Sequence, residues 1–153
     1  MTRKRTDTGH ASVGAWAKRC YFAGRALMDS ALRPYDLGST QWYVLWQLAH
    51  VGPTRQSDLV RTLYIERASL SGIVATLVRK GLVDQVPDQV DQRQRLLQLT
   101  ASGKKLWDKL PDLAFIHKAA FDGIDAAAIA TAVRVLQTAT ERLDHLSQKG
   151  ADT

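Results

Sequence analysis

Residues 66–100 read ERASLSGIVATLVRKGLVDQVPDQVDQRQRLLQLT, and the hydrophobic period changes partway along them. From about Glu66 to Lys80 the apolar residues Leu70, Ile73, Val74, Leu77 and Val78 recur at helical spacing, and Gly81 supplies a C-terminal break. Leu82, Val83 and Val86 then precede Pro87 and the polar stretch Asp88 to Gln94, after which Leu97 and Leu99 alternate with Leu96 and Gln98. A helix followed by a two-stranded hairpin with a long charged tip is the structure this pattern predicts.

Upstream, Val13, Trp16, Cys20, Ala23, Leu27 and Ala31 are spaced by three or four behind a capping Ser12, which predicts an amphipathic helix ended near Pro34. Ser39 and Thr40 open a second helix with Trp42, Leu45, Leu48 and Ala49 on one face, stopped by Gly52-Pro53. A short helix follows Thr54, with Leu59, Val60 and Leu63 inward. Downstream, Thr100 to Phe121 reads as helix kinked or restarted at Pro111, and Asp125 caps a last helix whose seam is Ile129, Val133, Leu136, Thr140 and Leu143. Three helices and a hairpin make a winged helix-turn-helix, whose third helix enters a major groove. The expected fold is therefore mainly α. A flexible basic tail over 1–11 precedes the first long helix, and residues 38–103 form the winged helix-turn-helix. Residues 12–34 and 104–148 form a helical dimerisation region, and 149–153 a second tail. The terminal seams have no evident partner within the motif, so a second copy of the chain is expected to cover them, presenting two reading heads ~34 to 36 Å apart for half-sites one turn apart.

The composition agrees with one compact domain. The chain has 153 residues, 45% hydrophobic and 24% charged, with a net charge of +6 that favours a polyanionic partner. Residues 53–105 carry nine basic and five acidic side chains, against 12 and 10 in the rest. The longest uncharged run, Leu37 to Thr54, contains Gln41, Gln47, His50, two glycines and Pro53, so no membrane span is expected. Arg3, Lys4 and Arg5 are not followed by the apolar segment of a secretory signal, and a cytoplasmic location is expected. Cys20 is the only cysteine, which excludes an internal disulfide and thiolate-rich zinc sites. The four histidines fall on separate segments, and only Asp7 with His10 and Glu141 with His145 have ligand-like spacing. With no phosphate loop, no G-x-S-x-G and no triad, no metal site, cofactor or enzymatic activity is expected.

The segment Thr76 to Val83, TLVRKGLV, followed by Asp91-Gln92-Arg93 and then Leu99-Thr100 with Gly103, resembles the signature of the MarR family of bacterial transcription regulators. The resemblance extends from Trp16 to about Leu146 and takes in Leu110-Pro111 and Gly123-Ile124-Asp125. It implies a homodimer on double-stranded DNA at an inverted repeat, usually repressing an adjacent operon and often released by a small phenolic or aromatic ligand. Arg93 corresponds to the wing arginine that enters the minor groove and Asp91 to the acidic residue that orients it, with Arg95 assisting at the backbone. The alternative is that Asp91 and Arg93 are a solvated hairpin tip. On the recognition helix Arg67, Ser69, Ser71, Gly72, Ala75, Thr76 and Arg79 lie off the apolar face. Many relatives carry a long polar residue where this chain has Gly72 and Thr76, so specificity leans on Ser71, Thr76, water and groove shape. Arg55, Arg79 and Lys80 are either phosphate contacts or solvated surface.

Tyr43, Trp46 and His50 form a stripe on the flank of the second helix. In the family the space between the first, second and fifth helices hosts ligands, and Trp16, Arg19, Phe22 and Phe115 are the expected opposite walls. Aromatic rings with an arginine suit an aromatic carboxylate or its acyl thioester. The alternative is that these aromatics fill a dimer interface. Two further alternatives exist for the whole chain. One is a winged-helix protein-interaction module without specific DNA binding. The other is redox sensing at Cys20, although the peroxide-sensing branch places its cysteine several residues earlier, near Gly14, and Cys20 on an apolar stripe reads as inert packing.

Overall fold

The computed structural model describes residues 9–151, and residues 1–8 of the expected basic tail lie outside the described residues. Helix α1 (Gly9–Leu32) leads through a 3-10 turn (Arg33–Tyr35) to α2 (Ser39–His50). There follow β1 (Thr54–Arg55), α3 (Gln56–Leu63), α4 (Arg67–Arg79), β2 (Val83–Pro87) and β3 (Arg95–Leu99). The chain ends with α5 (Ala101–Lys109), α6 (Ala114–Phe121) and α7 (Ala126–Ala151). Two of these bounds correct the expected tails. The described helical backbone already includes Gly9, ahead of Ser12, and α7 carries its helix to Ala151, within the supposed 149–153 tail, of which residues 152 and 153 lie outside the described residues. The break in the fifth helical segment falls at Leu110, in extended conformation ahead of Pro111 as a residue before proline prefers.

The described residues divide into two units, 9–116 and 117–151. In the first, Leu32, Val44, Leu45, Leu59, Leu70, Leu77 and Leu97 reach zero exposure and form one core. The hairpin is part of a three-stranded antiparallel sheet of order β1-β3-β2, and β1, unforeseen in the sequence, pairs Thr54 with Leu97 and Arg55 with Leu96. Leu97, the partner of Thr54, is fully buried. On α2, Val44 takes the inward place expected of Ala49, which is exposed.

The largest difference concerns α1. The stripe Val13, Trp16, Cys20, Ala23 and Leu27 is exposed, Ala31 is half-buried, and the inward face is Gly24, Met28 and Leu32. Cys20 is thus on the surface of the chain rather than packed. In the second unit Asp125 caps α7 by accepting from the Ala128 N–H at 3.1 Å, as its sequence predicts. Val133, Leu136, Thr140 and Leu143 of its seam are exposed, and Ile129 is half-buried.

Strand β3 turns into α5 at a tight junction. The Thr100 hydroxyl accepts from the Gly103 N–H at 3.0 Å and donates to the Gly81 carbonyl at 2.6 Å, while the Thr100 N–H donates to the Leu82 carbonyl at 3.1 Å. A Cβ on Gly103 would fall on that Leu82 carbonyl oxygen, well inside van der Waals contact. Replacing Gly103 by alanine is expected to destabilise the fold by about 1 to 3 kcal/mol, the usual cost of overpacking a backbone contact, measured as a lowered denaturation midpoint.

Candidate nucleic-acid interface and effector cavity

Helix α4 buries Leu70, Val74 and Leu77 and half-buries Ile73, leaving Arg67, Ser69, Ser71, Gly72, Ala75 and Arg79 exposed and Thr76 half-buried. The Ser71 hydroxyl donates to the Arg67 carbonyl and the Thr76 hydroxyl to the Gly72 carbonyl, both at 3.0 Å. Each therefore offers lone pairs outward, and the space over Gly72 is open. Ser71 already accepts from the Gln56 amide at 3.2 Å, and Gln56 in turn accepts from Gln85 of β2 at 3.2 Å. A polar relay thus joins the recognition helix, the start of α3 and the wing. Sequence reasoning missed Gln56 and Gln85, whose meeting depends on pairing across 29 residues.

The wing tip is built by two carboxylates. Asp91 Oδ1 accepts from the Arg93 backbone N–H at 3.1 Å and Asp88 Oδ1 from that of Val90 at 3.0 Å. Asp91 orients the tip through the backbone, where the sequence suggested a grip on the guanidinium. The Arg93 side chain is exposed and has no ion pair among the described residues, and Arg95 is exposed opposite Pro87. Arg55 has a different place from the free phosphate contact or solvated residue expected: its Nε meets the buried Asp88 carboxylate at 2.5 Å and ties β1 to the wing. Ser57 donates to Gln94 at 3.1 Å, a second tie from α3 to the same loop. Lys80 binds both the carbonyl and the carboxylate of Asp36, while Arg79 stays exposed.

On the other side of α4 lies a cavity of about 590 Å³ lined by Tyr21 and Arg25 of α1, Ser39, Thr40 and Tyr43 of α2, Thr62 and Leu63 of α3, Tyr64 and Ile65 of the following turn, and Ser69 and Ile73 of α4. Ser69 thereby belongs to the cavity wall as well as to the exposed face of the recognition helix. Arg25 donates from Nε to the Ser39 hydroxyl at 3.1 Å and from Nη2 to that of Thr40 at 3.3 Å, and no carboxylate pairs with it among the described residues. Tyr43 donates to the Met28 sulfur at 3.5 Å; burial, then the neighbouring Tyr21, pushes its phenol above the usual range against the opposing pull of Arg25, so the ring stays neutral.

Of the seven expected effector residues only Tyr43 lines this cavity. Arg19 lies over the Trp16 ring at 5.0 Å on the outer side of α1, and Phe22 meets Tyr21 edge-on at 5.4 Å. Trp46 stacks on His50 at 4.4 Å, and His50 meets Trp107 of α5 edge-on at 5.7 Å. Phe115 is exposed on α6. The physical reason is helical phase. Tyr43 and Trp46 differ by about 60° around α2, enough to put one in the cavity and the other outside, and Arg19 and Arg25 by about 120° around α1. A sequence signal for Arg25 existed: Tyr21, Arg25 and Asp29, four apart, make a polar ridge along an apolar helix.

A groove-sized helix beside a wing with an exposed arginine at its tip defines a winged helix-turn-helix protein. The chain matches the MarR family model over residues 35–94. It is 36% identical to the transcriptional activatory protein BadR of Rhodopseudomonas palustris over 72% of this chain and 70% of that protein. It is 31% identical to the transcriptional repressor NicR of Pseudomonas putida over 64% of this chain and 62% of that protein. A mutant MarR from E. coli complexed with operator DNA shares the fold at TM-score 0.75 and 21% identity, covering 89% of this chain and 99% of that one. Bordetella bronchiseptica BpsR, whose DNA binding is regulated by 6-hydroxynicotinic acid, superposes at TM-score 0.71 and 25% identity over 84% and 98% of the two chains. This chain belongs to the MarR family of transcription regulators, which are not enzymes. No described helix is long and apolar enough to cross a membrane.

Hydrogen bonding from the Val90 N–H, then the Arg55 guanidinium, holds the Asp88 carboxyl below its ordinary range despite the burial that opposes it. A group depressed on folding stabilises the protein above the ordinary carboxylate range and loses that contribution as the pH falls through its folded value. Asp88→Asn is therefore expected to lower the denaturation midpoint at neutral pH, with a gap from wild type that narrows steadily on acidification.

Proposed function

We propose that this regulator is a cytoplasmic homodimer that represses transcription from an inverted-repeat operator and releases it when an aromatic carboxylate occupies the cavity beside Arg25. One observation carries the effector reading: Arg25 lines a cavity of about 590 Å³ with two hydroxyls and, among the described residues, no carboxylate as partners, beside the rings of Tyr21, Tyr43 and Tyr64. A guanidinium held by neutral acceptors keeps donors for an anion, and tyrosine rings offer faces and edges to a planar ligand. The cavity has the size usual for small-molecule sites. BpsR, a structural neighbour regulated by 6-hydroxynicotinic acid, is consistent with the same chemical class. Because Ser69 and Ile73 of α4 form one wall, an occupant that prefers one placement of α4 shifts the dimer toward it, and typical couplings of ~1 to 3 kcal/mol weaken DNA binding about 5- to 150-fold.

The dimer reading is supported by the uncovered apolar side chains of both terminal helices, among them Val13, Trp16 and Leu27 on α1 and Val133, Leu136, Leu143 and Leu146 on α7. In each reading head Arg93 enters the minor groove, and Arg67, Ser71, Gly72, Thr76 and Arg79 face the major groove, with Arg95 at the backbone.

The test is titration of 6-hydroxynicotinate, salicylate, benzoate and benzoyl-coenzyme A against operator-bound protein, following tryptophan fluorescence and operator occupancy. Arg25→Ala is expected to weaken the effective ligand by roughly 10- to 100-fold, the scale of a lost hydrogen bond to a charged group, with ligand-free operator affinity and melting of the same variant measured alongside because Arg25 also holds Ser39 and Thr40 of α2. Release of the operator by none of these, or an unaltered response of the Arg25 variant, removes the cavity from regulation. Separately, Arg93→Ala is expected to weaken operator binding by about 1 to 3 kcal/mol with fold and dimer intact, as read by mobility shift at several salt concentrations.

A further inference from the structure

Tyr64 ends α3 in the left-handed conformation, at φ 52° and ψ 45°, where helices usually place glycine or asparagine. A tyrosine there works against its own backbone preference. Packing does not account for it: the side chain is 82% exposed and makes no hydrogen bond or ring contact among the described residues. An exposed ring on an unfavourable backbone nevertheless lines the cavity that holds Arg25 and Tyr43. Its position in the chain adds a consequence. Tyr64 is the hinge residue of the helix-turn-helix, with Leu63 closing α3 before it and Glu66 as the N-cap of α4 two residues after.

We propose that Tyr64 is a specificity-determining effector contact: its ring closes over the aromatic face of a planar carboxylate whose anion is held by Arg25. The proposal rests on the effector reading of the cavity given above and adds the residue that distinguishes a flat ligand from a puckered one. Arg25 attracts any carboxylate of suitable size. A ring laid on the ligand face favours a π-system, because stacked or edge-to-face aromatic pairs gain beyond their buried area. The contact also gives the ligand a direct hold on the turn between α3 and α4, so that the same ring reports occupancy to the recognition helix.

The experiment compares wild type, Tyr64→Gly and Tyr64→Phe. For each, the dissociation constants of benzoate, salicylate, 6-hydroxynicotinate and cyclohexanecarboxylate are measured by calorimetry, alongside melting of the ligand-free protein. Wild type is expected to prefer benzoate over cyclohexanecarboxylate, Tyr64→Phe to keep that preference, and Tyr64→Gly to lose roughly 3- to 10-fold of it while still binding both acids through Arg25. Glycine suits the left-handed backbone, so the ligand-free variant is expected to melt close to wild type. If wild type binds none of the four acids, the effector reading and this proposal fall together. If wild type binds them and Tyr64→Gly shows the same preference, this proposal alone falls. A large drop in the melting temperature of ligand-free Tyr64→Gly, or a Tyr64→Phe variant as impaired as Tyr64→Gly, overturns the stacking role in favour of packing or of a hydroxyl contact.

Discussion

The polar clasp between α1 and the N-terminus of α2 sets the geometry on which the cavity and the reading head depend. Asp29 Oδ1 accepts from the Ser39 N–H at 2.7 Å, in place of the side-chain cap that Gly38 cannot supply. One turn earlier on the same ridge, Arg25 holds the hydroxyls of Ser39 and Thr40. Free N–H groups at a helix start need partners, and here a carboxylate from another helix provides one, with the favourable sign for the helix dipole. The clasp joins α1 to the start of α2 beside the cavity that α3 and α4 also line. The space left between them is too polar to close as core and is lined by an arginine, hydroxyls and phenols.

The wing is held by a different set of contacts. Arg55 with Asp88, Ser57 with Gln94, and the relay Gln85–Gln56–Ser71 connect the hairpin to the first turn of α3 and to α4. Individually such half-exposed contacts are modest. Together they make the wing follow the helices, so that a displacement of α4 carries the wing arginine with it. This suits the proposed reading head, in which Gly72 and Thr76 are small: recognition that depends on groove shape needs helix and wing in a constant relation.

Both long helices present apolar surface that the chain itself does not use. On α1 the stripe with the best helical periodicity is the exposed one, and the core receives the less conspicuous Gly24, Met28 and Leu32. On α7 exposure persists along the whole seam except at half-buried Ile129. An apolar face of this length is costly to leave in water, which is why the seams carry the dimer reading.

Helix order, the hairpin, the Pro111 break and the Asp125 cap were all legible in residues 12–148, because spacing, glycine, proline and capping chemistry act over a few residues and need no knowledge of the rest of the chain. The family could be recognised for the same reason, its signature lying in one continuous segment. Strand β1 was not legible, since two residues have no period and pair only because β3 returns from more than forty positions away. Nor was the cavity: Arg19, Trp46 and Phe115 lie outside its lining, whereas Arg25 meets Ser39 and Thr40 across 14 and 15 residues. The sequence by itself determined the order of the helices, the hairpin and the breaks between them. Tertiary structure decided which face of α1 is covered and which side chains meet across the cavity, because a helix with more than one candidate stripe is oriented only by the neighbours packed against it.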